Sequence, residues 1–355
     1  MGKVPDFEIY YYFIEIANEL IGEKGILSYI IPNTYLFNNY AKDYRTSLLK
    51  SWEIIEILDC TRFSIFEAAT VRNTINIWRK FSDGINVGYR NTSDTNSFIE
   101  LTNRPRLQMK VADLLQMNQN WGLAFSLSQE KISLVNKISL SGNSLKTLFP
   151  EISQGLIAYD KYQGQSPEII KSRAYHYTEY KNGLKKWLWG QDVRRYQVAW
   201  NSREYIDYCD GIANPRHPKY FRGKRLLVRE ITNPSIYAAI TSEELYHDPA
   251  IIIVKDSDSY PLEVALAIMN SKLATFYHFN HSPKATKGAF PKILVQDIKD
   301  FPLPSLTEEL KHKILAHVEK LNYQAATNAL EKEIDNLVYQ LYELTSDEIE
   351  LIEQA

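Results

Sequence analysis

Apolar residues recur at helical spacing near the start of the chain. Ile9, Tyr12, Phe13, Ile16, Ala17 and Leu20 fall close to a 3.6-residue period, and Gly25 closes the segment. The run ILSYII at 26–31 is short and almost wholly apolar, which predicts a strand buried on both faces of a parallel sheet; Pro32 breaks it. A second helix over roughly 39–51 leads to another apolar strand, IIEILD at 54–59. Residues 70–80 follow, with Val71, Ile75 and Ile77 suited to a last, more edge-like strand. Helix, strand, helix, strand, strand is the order of the back half of a doubly wound α/β sheet.

The pattern then changes. Residues 83–110 are polar and turn-rich and read as a linker, and 111–150 are mixed to helical. Residues 150–304 carry many aromatics, short strands and turns without regular alternation, which marks a second domain of mixed α+β type. From Leu306 the chain becomes helical, with a start at Thr307 and a second start at Thr345 or Ser346. The expected division is an α/β domain over 1–82, a linker with connecting helices over 83–144, a second, mixed α+β domain over 145–304 and a helical tail over 305–355.

Composition narrows the class. The chain has 355 residues, 45% hydrophobic and 24% charged, ordinary values for a globular protein with room for more than one core. No apolar run approaches the ~20 residues of a membrane span. Cys60 and Cys209 form no ligand pattern, which disfavours a structural zinc and fits a reducing cytoplasm. The net charge of -2 conceals an asymmetry: residues 171–230 hold 14 Lys and Arg against 6 Asp and Glu, and residues 305–355 hold 4 against 11. Such a distribution suits a polyanion partner for the middle of the chain, and a solvated basic surface equally well.

The common catalytic signatures are missing. The sequence contains no GxGxxG, GxxxxGK[ST], GxSxG or HExxH, and its seven histidines show no metal-ligand spacing. The first α/β unit thus lacks the glycine-rich turn that would cradle a nucleotide cofactor.

Two groups of motifs carry a resemblance. DFEIYYYFIEIANELIGEKGILSYIIPNTYL (6–36) and FSIFEAATVRNTINIW (63–78) resemble the second half of the gamma-arrangement adenine-N6 DNA methyltransferases, particularly those fused to a TaqI-like specificity domain. LFPEISQGLIAYDKY, WLWGQDVRRYQVAW, KRLLVREITNPSIYAAI, ALAIMNSKLATFYH and IKDFPLPSL are similar, in the same order, to motifs of that TaqI-like target recognition domain. The resemblance implies the C-terminal portion of a methyltransferase from a type II, type IIG-like, restriction–modification system. Its fold would be a partial Rossmann-like methyltransferase sheet, a mixed α+β recognition domain and C-terminal helices. It implies double-stranded DNA as partner and S-adenosylmethionine as cofactor of the intact enzyme. The Asn-Pro-Pro-Tyr motif and the cofactor loop of the family are expected upstream of residue 6. Asn-Pro occurs at 214–215 and 233–234, in the other domain. This chain alone is therefore expected to hold no cofactor tightly and not to methylate, and a separate chain could supply the N-terminal methyltransferase half. A specificity subunit serving another methyltransferase chain is the alternative, although such subunits carry two recognition domains in tandem and only one is visible.

The resemblance also assigns residues. Phe66 matches the aromatic that stacks on a target adenine swung out of the duplex, with an ordinary core phenylalanine as the competing reading. Asp6 matches the acidic residue near the cofactor adenine and is equally suited to capping a helix. Arg194, Arg195, Arg216, Lys219, Arg222 and Lys224 flank turns, and Lys284 and Lys287 lie in a second basic loop, HSPKATKGAF. Together they are the expected phosphate and base contacts; taken singly, each fits a solvated surface charge. No metal is expected.

Overall fold

The computed structural model describes all residues except 1–3, 6–7, 62–64, 67–70, 81–83, 92–96, 119, 202, 283–284, 286–290 and 324–326. It is a mixed α/β structure with several sheets. The chain divides into two compact units, residues 1–136 and 137–355. Among the described residues no helix is long and apolar enough to cross a membrane.

The N-terminal unit runs α1 (Tyr10–Leu20), β1 (Ile26–Pro32), α2 (Lys42–Ser51), β2 (Trp52–Asp59), β3 (Asn73–Lys80), β4 (Asn86–Arg90), α3 (Phe98–Asn103), β5 (Leu107–Lys110), α4 (Val111–Gln116) and α5 (Trp121–Ala124). One five-stranded sheet holds it in the order β1-β3-β2-β4-β5. β3 is antiparallel to both β1 and β2, so those two run parallel; β4 adds in parallel to β2, and β5 pairs antiparallel with β4.

Three expectations change here. The segment expected to form an edge-like strand is central: β3 is hydrogen-bonded on both sides, and Val71 lies outside it, exposed. Its buried polar residues have partners, Asn76 accepting from the Tyr35 hydroxyl at 2.5 Å and reaching Thr74 with its amide. That satisfaction makes a central position tolerable for a strand spelled NTINIWRK. Second, β1 is an edge strand with one exposed face: Ile26 and Ile30 are open while Leu27 and Ile31 are buried. Third, residues 83–110 contain β4 and β5 and extend the sheet. Gly88 makes this possible, because a Cβ there would meet the Ile55 carbonyl oxygen at 2.6 Å, where β2 is irregular between Ile54 and Glu56.

The helix α1 turns a different side inward from the one its spacing suggested. Tyr10, Tyr11, Ile14 and Ala17 are buried, whereas Ile9, Tyr12, Phe13, Ile16 and Leu20 are exposed, Leu20 by 79%. The tyrosines decide the matter. Tyr10 hydroxyl shares a hydrogen bond with Thr34 Oγ1 at 3.1 Å, and the Tyr11 ring stands edge-on to Tyr44 at 4.9 Å. Apolar periodicity alone could not choose between two stripes on a helix apolar nearly all round.

Helix α6 (Gln129–Ser139) crosses the division. The C-terminal unit has β6 (Asn143–Ser144), α7 (Leu145–Leu148), β7 (Ile152–Gln154), α8 (Pro167–Ser172), β8 (His176–Tyr177), β9 (Lys185–Leu188), β10 (Val193–Arg194), β11 (Gln197–Val198), β12 (Glu204–Ile206), β13 (Arg225–Arg229), β14 (Ala238–Thr241), β15 (Leu245–His247) and β16 (Ile251–Lys255). Then come α9 (Leu262–Asn270), α10 (Lys272–His281), α11 (Val295–Asp300), β17 (Pro302–Leu303), α12 (Glu308–Tyr323), α13 (Asn328–Leu341) and α14 (Ser346–Glu353). Two four-stranded sheets, β15-β9-β12-β8 and β14-β13-β16-β7, share a core that includes Leu156, Trp187, Phe221, Leu227, Tyr246 and Ile253. Helix α9 is buried along almost its whole circumference, against β14 on one side and the tail helices α12 and α13 on the other.

The tail is not set apart. Tyr342 hydroxyl donates to Pro302 O at 2.7 Å, and the tail belongs to the same compact unit. It is three helices, because Thr327 caps a fresh start at α13; Thr345, with Glu348 in a reciprocal box, caps α14.

Candidate nucleic-acid interface

The described candidate basic residues of the C-terminal unit sit on two short segments. The first is the β10–β11 hairpin, where Val193 faces Val198 and Arg194 faces Gln197 across a two-residue turn, Arg195–Tyr196. Its approach is fixed by Asp192, which is buried and accepts from the Trp189 amide at 2.9 Å. Tyr196 takes a left-handed backbone, φ +62°, rare for a bulky residue. Its buried ring and its N–H, which donates to Ala238 O at 2.8 Å, hold it there.

Arg194 is exposed, and Arg195 is not free beside it. Its Nε and Nη2 donate to Glu331 Oε2 of α13 at 2.9 and 2.5 Å. Burial alone lowers the Arg195 guanidinium, but the Glu331 contact outweighs it and leaves Arg195 above its ordinary value. Arg195 thus anchors the hairpin to the tail through a pair 136 residues apart in sequence.

The second segment is 216–224, built on a single 3-10 turn, Pro218–Phe221, whose Phe221 ring stacks on Tyr246 at 4.3 Å in the core. Arg216 donates to Asn214 Oδ1 at 2.6 Å. Lys219 pairs with Glu151 at 2.8 Å, and Lys224 with Glu263 at 2.9 Å and Asp256 at 3.5 Å. Arg222 is exposed. Lys255, which the sequence did not single out, belongs with this group: its Nζ donates to Arg222 O at 2.6 Å, and burial followed by the nearby Arg225 charge lowers its pKa. Arg225 itself is buried and donates to the carbonyls of Gly223, Glu243 and Leu245; burial brings it down to about 10. It braces the loop from beneath. Exposed pairs such as Lys219–Glu151 contribute little stability and exchange readily for phosphate partners. Lys284, Lys287 and Asp6 lie outside the described residues.

In the N-terminal unit Phe66 sits in the loop after β2, at the carboxyl end of the sheet, and is 47% exposed. Asp59 orders the start of that loop. Its Oδ1 accepts from the Thr61 amide at 2.9 Å and its Oδ2 from the Tyr89 hydroxyl at 2.8 Å, while Asn33 Nδ2 donates to Thr61 Oγ1 at 2.8 Å. Ligands of open α/β sheets bind outside the carboxyl ends of strands, which is where these groups stand.

Two segments of the chain match protein families. Residues 185–303 match the TaqI-like C-terminal specificity domain, and residues 2–66 match the Eco57I restriction-modification methylase. The chain thus joins a segment that matches a restriction-modification methylase family to one that matches a TaqI-like specificity domain. It is 22% identical over 95% of its length to RM.MjaORFECS2P of Methanocaldococcus jannaschii, by its name a type II restriction enzyme and methyltransferase, and spans 29% of that protein. In fold it is similar to the Type IIL restriction-modification enzyme MmeI in complex with DNA, with a TM-score of 0.55, 8% identity, and coverage of 97% of this chain and 51% of that one. A nuclease-deletion mutant of the Type ISP enzyme LlaGI, with a DNA substrate mimic, gives a TM-score of 0.50, 11% identity, and 91% and 31% coverage. The chain thus spans about half or less of the proteins it resembles.

The specificity-domain match covers both basic segments, and one buried amide supports the hairpin from behind. Asn270, at the end of α9, donates to Ala238 O at 2.9 Å and accepts from Ala238 N at 2.9 Å. Ala238 O also receives the Tyr196 amide. Replacing Asn270 by alanine leaves Ala238 with an unpaired N–H on the edge strand β14 at a cost of roughly 2–3 kcal/mol. For a unit of this size that corresponds to a Tm about 5–10 °C lower, and a thermal melt that does not move would contradict this role.

Proposed function

We propose that the chain is the recognition-bearing portion of a site-specific adenine-N6 DNA methyltransferase. In this reading residues 1–82 are the back half of a Rossmann-like methyltransferase sheet and 83–144 connect it onward. Residues 145–304 recognise duplex DNA, and 305–355 brace that domain. S-adenosylmethionine serves the intact enzyme, with Phe66 as a stacking partner for the target adenine. Arg194, Arg216, Lys219, Arg222, Lys224, Lys284 and Lys287 are DNA contacts, with Arg195 in a supporting position.

The observation that carries the reading is the uncovered apolar surface of the methylase segment. Five large side chains on α1 and at its N-cap, Ile9, Tyr12, Phe13, Ile16 and Leu20, face outward. β1 is an edge strand with Ile26 and Ile30 exposed. Each large apolar side chain left in water forgoes about 1.5–3 kcal/mol of burial, and soluble monomers rarely leave such a stripe open. The remainder of a methylase domain, whether in the same polypeptide or another, is the occupant that suits it.

The test combines the 355-residue chain with labelled S-adenosylmethionine and unmethylated duplex. A duplex gel shift that weakens steeply with salt, without methyl transfer, is expected. Methyl transfer by this chain alone overturns the assignment of catalysis to other segments. Absence of any shift even at low salt overturns the recognition reading.

A further inference from the structure

Among the described residues the hairpin presents two side chains that bond to nothing. Arg194 and Gln197 are directly opposed in the antiparallel pair, both exposed, and have no hydrogen-bonded or ionic partner. Directly opposed residues point to the same face of a hairpin, with Cβ atoms about 4.5–5.5 Å apart. Everything else in the hairpin is committed. Val193 and Tyr196 are buried, Arg195 is held by Glu331, and the Tyr196 amide is held by Ala238. A non-glycine residue kept at φ +62° by its surroundings is the kind of local strain that persists where a conformation is needed. The result is a rigid two-stranded tip that offers one guanidinium and one carboxamide side by side.

That pairing has a chemical meaning. The major groove admits a two-stranded β-ribbon, and two planar side-chain types read single bases there with paired hydrogen bonds: arginine at guanine O6 and N7, and glutamine at adenine N6 and N7. The ~5 Å lateral spacing of Arg194 and Gln197 is within side-chain reach of two successive base pairs, which rise 3.4 Å per step. Phosphate oxygens accept from a guanidinium and from a carboxamide alike, but only base edges distinguish the two side chains by sequence.

We infer that the Arg194–Gln197 couple is a base-reading element, which contacts a guanine and an adjoining adenine in the major groove of duplex DNA. Gln197 is thus a specificity-determining residue alongside Arg194. The inference rests on the recognition reading above and adds the residue pair, the groove and the base classes.

Selection of bound sequences from a randomised duplex pool, with the 355-residue chain, tests it. Enriched sites contain G beside A. Gln197→Ala relaxes the adenine position alone by roughly 10- to 100-fold, and Arg194→Ala relaxes the adjoining guanine by a similar factor. Gln197→Glu moves preference at that position toward cytosine, whose N4 amine a carboxylate accepts. Each variant keeps the wild-type melting temperature, since neither side chain supports the fold. Unchanged base preferences in both alanine variants overturn the inference, as does uniform weakening on every sequence with a shallower salt dependence, the signature of phosphate contacts. A wild-type chain that binds duplex without any sequence preference overturns it too, while leaving DNA binding intact. A chain that binds no duplex overturns the underlying recognition reading and this inference together.

Discussion

Replacing Arg45 by methionine is expected to destabilise the N-terminal unit by about 3–5 kcal/mol, enough to unfold a domain of ordinary stability under mild conditions. Arg45, on α2, is fully buried. Its Nε and Nη2 donate to Asn118 O at 2.9 and 2.5 Å, and Nη1 donates to Tyr35 O at 2.8 Å and Asn38 O at 2.9 Å. One guanidinium therefore satisfies three backbone carbonyls from two distant stretches of chain. Burial lowers its pKa to about 10, so it remains charged at neutral pH. Methionine fills much of the volume but takes this partner from the Tyr35 and Asn118 carbonyls, each at a cost of about 1–3 kcal/mol, while Asn38 O keeps the Ala41 amide at 3.1 Å. Lysine keeps the charge without the fork and is expected to fall between wild type and methionine. Urea unfolding followed by hydrogen exchange across residues 1–136 reads the effect. An unchanged urea midpoint for these residues would show that the carbonyls find other partners.

Lowering the pH from 7 to 5 is expected to weaken the C-terminal unit by roughly 3 kcal/mol and the N-terminal unit far less. All seven histidines lie in the former, the first being His176. His247 is completely buried, with Nδ1 against Asp248 O at 3.1 Å and Nε2 unpartnered. His278 is buried on α10, with Nε2 facing Thr232 Oγ1 at 3.1 Å and Nδ1 unpartnered. Burial brings each down to about 3. In the unfolded chain they titrate near 6.5. Between those values the unfolded state binds more protons, so stability is complete above pH ~6.5 and declines as pH falls, by about 2 kcal/mol per ring at pH 5. His176, brought down to about 4 by burial, adds a smaller amount because it is partly exposed. Asp335 acts in the opposite sense. Burial raises it to about 6, so its folded form gains a proton first on acidification and returns roughly 1 kcal/mol by pH 5. Asp248 and Asp297, which burial also raises, add to Asp335 in the same sense, and the histidines set the sign of the sum. Urea midpoints at pH 7 and 5, with His247→Phe as the variant that flattens the difference, check the sum; equal midpoints at both pH values would refute it.

The sequence made the class of the chain legible through the order of several spaced motifs, and it located both basic segments. It could not say which of those charges were available. Arg195 looks like its neighbour Arg194 in the string VRRY, yet its partner Glu331 lies on α13, which no local pattern connects to the hairpin. Helix α1 shows the same limit in apolar form. Its periodicity was correct, but which of two stripes faced inward depended on hydroxyl and ring contacts with Thr34 and Tyr44. The placement of β3 between β1 and β2 likewise needed Tyr35 to satisfy Asn76. β4 and β5 escaped notice because strands of five and four residues with polar spelling resemble a loop until a sheet edge receives them. Gln197 carried no signal at all. An uncharged residue becomes conspicuous only when the register places it opposite Arg194.

The hairpin separates what holds it from what it displays. Val193, Arg195 and the Tyr196 backbone tie it down, while Arg194 and Gln197 take no part in that hold. Most substitutions in a protein must pass through the threshold of folding before selection can act on anything else. At these two positions that filter is nearly absent, so the pair can drift through amino-acid types while the domain stays folded. Under the recognition reading proposed above, a restriction system gains from changing its address without rebuilding its reader, and this turn is a place where one mutational step makes such a change.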